Sequence, residues 1–162
     1  MRLIFDHLPS AYANGADLEA RKAMALASYY GGLAFTRTSV GYVHAIAHGF
    51  GAYYGTPHGL ANAIALPHVL EFSKGPARAR LAQLAELIGL EGGSEQQRAD
   101  RFIAAVRELM TKVGIPSRLD ALRDEDVPTL ARQALDEAHL NYPVPRYMSQ
   151  PECERLLRAI RA

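Results

Sequence analysis

Apolar residues recur at helical spacing along most of the chain. In the C-terminal half they form four stripes with steps of three and four residues, which places side chains on one face of an α-helix. The stripes are Leu81, Leu84, Ala85 and Ile88; Phe102, Ala105, Val106, Leu109 and Val113; Val127, Leu130, Ala134, Leu135 and Ala138; and Cys153, Leu156, Leu157 and Ile160. No segment combines sustained apolar–polar alternation with hairpin turn residues. The pattern predicts an all-α fold of about seven or eight helices.

Capping and stop signals place several helix ends. Ser94 followed by Gln97 has the pattern of a capping box that opens a helix, and Gly114 predicts the end of that same helix. Ser149 is expected to open the last helix, and residues 140–148 are expected to form a loop.

An apolar segment near the N-terminus has no polar face. Asp17–Thr36 reads DLEARKAMALASYYGGLAFT, with its charged residues in the first two turns. A helix that is apolar all round is normally buried, so we expect this helix inside the core. Gly31 and Gly32 lie in its interior, where each disfavours the helix by about 1 kcal/mol relative to alanine. Close helix packing or a local break is expected there.

Composition and charge indicate a single globular domain spanning residues 1–162. Hydrophobic residues make up 49% of the chain and charged residues 22%, which is ordinary for a domain with a real core. Lysine and arginine total 18 against 17 acidic residues, without a basic run, so neither a nucleic-acid nor a membrane-surface partner is expected. The first residues lack a signal-peptide pattern, and no apolar run approaches the ~18 residues of a membrane span. A cytoplasmic location is therefore expected.

The single cysteine cannot support a disulfide or a thiolate metal cage within the chain. Cys153 falls on an apolar helical stripe, which favours a buried core residue over a reactive thiol.

Three of the six histidines fall in one short stretch, residues 41–59, GYVHAIAHGFGAYYGTPHG, which has no charged side chain. His44 and His48 are four positions apart and would share one face of a helix. His58 follows Thr56 and Pro57, which suit an N-cap and a first helical position, so it should lie in the first turn of the next helix.

The positive end of that helix should keep His58 neutral, the form in which imidazole binds a divalent cation. The residues alone leave two interpretations open, namely hydrogen-bonded core histidines and a metal or catalytic site. Two or three histidines do not complete a catalytic coordination shell. A metal-dependent hydrolase would need a nearby carboxylate, and residues 41–59 contain neither Asp nor Glu. His68 and His139 lack comparable neighbours and are expected to be structural.

Residues 41–72 resemble the signature of the iron-containing (group III) alcohol dehydrogenases. In that family a G-x-x-H-x-x-x-H segment is followed by a glycine- and aromatic-rich turn, then by P-H-G-x-A-N-A and L-P-H. The matching residues here are Gly41, His44, His48, Pro57, His58, Gly59, Ala61, Asn62, Ala63, Leu66, Pro67 and His68. The likeness continues more weakly over nearly the whole chain. It implies the helical domain of the dehydroquinate synthase-like architecture that these enzymes share.

The resemblance implies roles for the three clustered histidines. His44 and His58 match two metal ligands, for Fe²⁺ or Zn²⁺, and His48 matches a histidine that assists proton transfer. The implied reaction is reversible hydride transfer between a small primary alcohol or diol and NAD(P), with the aldehyde as product. The metal would act as a Lewis acid on the substrate oxygen.

The chain lacks other features of that family. It contains no G-x-G-x-x-G, and the family's remaining Asp and His ligands, in a D-x-x-x-H arrangement, have no match, since Asp6 and His7 are adjacent. We therefore expect a C-terminal helical domain whose partner is a missing N-terminal α/β domain that binds NAD(P). Alone, it should bind metal weakly and should neither bind NAD(P)H nor turn over alcohols.

Two further expectations concern assembly. An apolar face left uncovered would favour a homo-oligomer. The alternative to a dehydrogenase domain is a catalytically inactive helical relic that serves in oligomerisation or binds a partner.

The sequence leaves open the alcohol, the choice of NAD or NADP, and the choice of iron or zinc.

Overall fold

Seven α-helices and one 3-10 turn make up the regular structure of the computed structural model, which describes residues 1–162. In chain order the helices are α1 (Arg2–Ala13), α2 (Leu18–Thr38), α3 (Tyr42–Tyr54), α4 (His58–Leu87), α5 (Glu95–Lys112), α6 (Val127–Asn141) and α7 (Gln150–Ile160), and the 3-10 turn is Asp124–Asp126. There is no strand, only an isolated bridge between Leu119 and Arg161. The predicted all-α fold is confirmed. None of the helices is both long and apolar enough to span a lipid bilayer.

The helices form two compact units, each built from two separate stretches of chain. The first unit comprises Met1–Thr38 and Ala77–Gly114, and the second comprises Ser39–Pro76 and Ile115–Ala162. Helix α4 contributes its first part to the second unit and its last part to the first. In the first unit α1 packs against α2 and α5.

The core of the second unit forms where α6 packs against α3 and α7. All five residues of the predicted α6 stripe and all four of the α7 stripe are buried. Cys153 is fully buried, and this burial raises the pKa of its thiol to about 12. The prediction that Cys153 is a core residue is therefore confirmed.

A glycine allows α3 and α6 to approach closely. A Cβ atom added at Gly49, in the interior of α3, would lie 2.9 Å from Cδ2 of the buried Leu130 on α6. Helix α3 carries His44 and His48, so this close packing sets the distance of both histidines from α6.

The predicted helix ends at Ser94, Gly114 and Ser149 are present, whereas α6 extends to Asn141 and so includes the first two residues of the predicted loop 140–148. The Ser94 hydroxyl accepts a hydrogen bond from the Gln97 amide at 3.2 Å, and the Gln97 side chain completes the capping box. Ser149 and Glu152 form the same arrangement at the start of α7. Gly114, just beyond α5, has φ +70°, the left-handed conformation typical of a helix stop.

Helix α2 corrects one prediction. Only Ala20 and Ala27 are buried in it, so the expectation of a buried helix is wrong. Its exposed apolar side chains are Leu18, Leu26, Tyr29, Tyr30, Leu33 and Phe35. A helix apolar all round needs neighbours on several sides, and α1 is the helix with which α2 makes extensive contact. The two interior glycines mark neither a break nor a close contact, since α2 is continuous and a Cβ at either position would meet nothing within 4 Å.

The exposed face of α2 should make the chain self-associate. Leu26, Tyr29, Tyr30 and Leu33, here termed the α2 face, follow steps of three and four residues and lie side by side. In gel filtration with light scattering, we expect a mass above that of the monomer that rises with protein concentration. Leu33→Glu should restore the monomer, whereas Leu140→Glu, at the 84% exposed Leu140 of α6, should not. A wild-type chain that stays monomeric at all concentrations would contradict this.

Candidate metal and proton-transfer site

His44, His48 and His58 meet in the second unit. His44 and His48 lie one turn apart on α3, and His58 is the first residue of α4. The ring centroid of His44 is 5.4 Å from that of His58 and 6.1 Å from that of His48. The rings of His48 and His58 stack at 5.6 Å with 20° between their planes. We term these three residues the histidine cluster.

A tight turn returns the chain from α3 to α4. Gly55 has φ +65°, and its amide donates to the Gly51 carbonyl at 3.0 Å while the Thr56 amide donates to the Phe50 carbonyl at 3.3 Å. This left-handed glycine ending satisfies the last carbonyls of α3. Helix α4 begins at His58, one residue after the predicted first position Pro57, and His58 lies in the first turn as predicted.

The surroundings of the His44 imidazole favour its neutral form. Its side chain is partly buried, and burial is the main cause that lowers its pKa below the usual value for histidine. The neighbouring imidazoles of His58 and His48 lower it further, while Glu137 acts in the opposite direction. The neutral imidazole is therefore favoured near pH 7, with one nitrogen lone pair available to a cation.

Asn62, one turn further along α4, contacts both the backbone and the ring of His58. Its amide nitrogen donates to the His58 carbonyl at 2.8 Å and lies 3.2 Å from His58 Nε2. The Asn62 Oδ1 atom is buried and has no hydrogen-bond partner. Because the amide group touches both the backbone and the ring of His58, it restricts how that ring can turn.

Glu137 on α6 is a site residue that the sequence did not reveal. Its Oε1 atom lies 2.8 Å from His48 Nδ1, although the two residues are 89 positions apart. The Tyr142 hydroxyl donates to the same oxygen at 2.5 Å. That hydrogen bond is the main cause that raises the pKa of Tyr142 to about 12, so the hydroxyl keeps its proton at neutral pH. No local sequence pattern marks Glu137, because its partner His48 lies 89 positions away.

The donor set fits part of a metal site. His44 and His58 supply two imidazoles with adjacent rings, a donor type suited to Fe²⁺ and Zn²⁺. No group of three or more His, Cys, Asp or Glu side chains in the chain is arranged to hold a metal ion. A catalytic metal generally takes three or more protein ligands, so this chain offers fewer than a complete shell.

His139 belongs to a separate hydrogen-bond chain. The Met148 amide donates to the Tyr42 hydroxyl at 2.8 Å, and that hydroxyl lies 2.7 Å from His139 Nε2. The Tyr42 hydroxyl thus connects the Met148 amide to the His139 ring. His139 thus satisfies a buried tyrosine, in keeping with a structural role.

Comparison with known proteins assigns this fold and motif to a class. The family model for the C-terminal domain of the Fe-containing alcohol dehydrogenases matches residues 1–161, and the chain belongs to that family. The predicted family and architecture are confirmed.

Relatives and solved structures agree with this assignment. The chain is 38% identical to the 1,3-propanediol dehydrogenase of Klebsiella pneumoniae over 98% of its length and 42% of that protein. It is 40% identical to the NAD-dependent methanol dehydrogenase of Bacillus methanolicus over 85% of its length and 37% of that protein. A crystal structure of 1,3-propanediol oxidoreductase superposes with a TM-score of 0.92 at 38% identity, over 97% of this chain and 42% of that one. The alcohol dehydrogenase from Oenococcus oeni superposes with a TM-score of 0.92 at 32% identity, over 98% of this chain and 42% of that one. The chain thus spans less than half the length of these relatives.

Proposed function

We propose that residues 1–162 act as the metal- and substrate-binding domain of an iron-type alcohol dehydrogenase. The observation that carries this proposal is the histidine cluster, in which three residues of the family signature come together from two helices. The reaction proposed is NAD(P)-dependent, reversible oxidation of a small primary alcohol or diol to the aldehyde. The names of the relatives, a propanediol and a methanol dehydrogenase, support that substrate class.

Each residue of the cluster has a proposed task. His44 and His58 bind the divalent metal, Fe²⁺ or Zn²⁺, and the lowered pKa of His44 leaves its imidazole neutral for this purpose. When bound, the metal supplies Lewis-acid polarisation of the substrate oxygen. His48 handles the proton that the alcohol loses or the aldehyde gains. Asn62, whose amide nitrogen lies 3.2 Å from His58 Nε2, limits how the His58 ring can turn.

This chain matches only part of each relative, and we assign the remaining parts of the site to the part that it does not match. The chain covers 42% of the Klebsiella enzyme. We place the NAD(P)-binding α/β domain and the other metal ligands in the unmatched part. The α2 face, exposed in this chain, is a surface that such a domain could cover.

A hybrid enzyme tests this function. Residues 1–162 would replace the matching segment of the Klebsiella 1,3-propanediol dehydrogenase, which supplies the cofactor-binding part. We expect NAD-dependent oxidation of 1,3-propanediol by the hybrid and none by the 162-residue chain alone. Initial rates of NADH formation measure both.

Two results would contradict the proposal. One is a folded, metal-containing hybrid that does not form NADH with any small primary alcohol or diol. The other is NADH-dependent aldehyde reduction by the purified 162-residue chain, because the chain would then hold a complete site.

A further inference from the structure

Glu137 gives His48 a defined hydrogen-bond state. A carboxylate can only accept hydrogen bonds, so the 2.8 Å contact from His48 Nδ1 to Glu137 Oε1 requires a proton on Nδ1. In the neutral ring, the lone pair is then on Nε2. The tautomer of His48 is thus set by a residue on another helix.

The carboxylate is itself held in place. Tyr142 donates to the same oxygen at 2.5 Å, and its raised pKa keeps it a donor. The Asn141 side chain donates to the Glu137 backbone carbonyl at 2.8 Å, at the end of α6. The Glu137 side chain is 30% exposed and that of His48 is 45% exposed, so both side chains are partly accessible to solvent.

We propose that Glu137 is a positioning residue that, with Tyr142, holds His48 as the Nδ1–H tautomer and thereby makes Nε2 the atom that exchanges the substrate proton. The chemical meaning of this assignment rests on the proposed function. When Nε2 takes up the proton, the positive charge that forms on the ring lies 2.8 Å from the Glu137 carboxylate, which stabilises it. This is the arrangement in which an acceptor behind an imidazole orients the ring and selects its reactive nitrogen.

The tautomer can be read directly by NMR on the ¹⁵N-labelled, metal-free 162-residue chain. Long-range ¹H–¹⁵N spectra at about pH 8.5, above the usual pKa of histidine, distinguish protonated from unprotonated ring nitrogens. A His48→Gln variant assigns the resonances. We expect Nδ1 at the protonated position and Nε2 at the unprotonated position.

Three variants separate positioning from a general structural effect. Glu137→Ala should move the His48 resonances towards the Nε2–H form that solvent-exposed histidine prefers. Glu137→Gln keeps an oxygen acceptor and should retain the wild-type tautomer. Asp136→Ala, at the neighbouring exposed carboxylate on α6, should change nothing. Backbone amide spectra show that each variant is folded.

The outcomes distinguish this inference from the proposed function. A wild-type His48 in the Nε2–H form overturns the inference, as does a Glu137→Ala spectrum identical to that of Asp136→Ala. An inactive hybrid with the Nδ1–H tautomer intact would overturn the proposed function while the role of Glu137 in setting the tautomer stands.

Discussion

A His58→Ala substitution in the hybrid enzyme should lower kcat/KM for 1,3-propanediol by about 10²–10³-fold or more. His58 is one of two imidazoles that the chain offers to the metal, and its ring lies 5.4 Å from that of His44. The Lewis-acid effect of a bound metal is worth several kcal/mol of barrier, and each 1.36 kcal/mol is a factor of ten in rate. His44→Ala should have an effect of similar size, measured by the same rates of NADH formation.

Two control variants distinguish the loss of a metal ligand from the loss of a histidine that does not bind metal. His7→Ala removes a histidine of α1, outside the histidine cluster, and should leave the rate within about twofold of wild type. His48→Ala should lower the rate while the metal is retained, because His48 is assigned to the proton and not to the metal. A His58→Ala hybrid with wild-type rates would show that His58 does not hold a catalytic metal.

Phe50→Ala should lower the free energy of unfolding of the chain by about 3–5 kcal/mol. Phe50 is 0% exposed, on the inner face of α3, within the hydrophobic core of the second unit. Its removal takes an entire aromatic side chain out of a close-packed core and leaves a cavity. Since typical domains are stable by about 5–15 kcal/mol, this single change approaches the limit of folding. Urea unfolding followed by circular dichroism gives the difference.

The matched control is Phe35→Ala, the same chemical change on the outside of α2. Phe35 is 51% exposed, so its replacement should alter the free energy of unfolding by about 0.5 kcal/mol or less. Equal effects of the two substitutions would contradict the placement of Phe50 in the core.

Local patterns predicted much of the fold because they act over a few residues. The stripes of α6 and α7, the capping box at Ser94 and the glycine stop at Gly114 all depend on neighbours within about one or two helical turns. Thr56 and Pro57 likewise placed His58 in the first turn of α4. Spacing alone would have paired His44 with His48, and only the family resemblance separated the metal ligands from the proton-handling residue.

Contacts between distant segments could not be predicted from such local patterns. Glu137 meets His48 across 89 positions, and no local pattern marks it as the carboxylate that residues 41–59 lack. The burial of α2 was predicted wrongly for a related reason. Periodicity shows that a helix has apolar sides, but burial requires a neighbour to cover them, and the α2 face has none in this chain.

The central claim is that His44 and His58 together supply part of a metal site that the rest of the enzyme completes. Elemental analysis of the purified hybrid tests it most directly, as metal bound per chain after dialysis. We predict about one iron or zinc ion per chain for the wild-type hybrid and its His7→Ala variant, and little or none for His44→Ala and His58→Ala. Full retention of the metal by both the His44→Ala and the His58→Ala hybrid would contradict the claim.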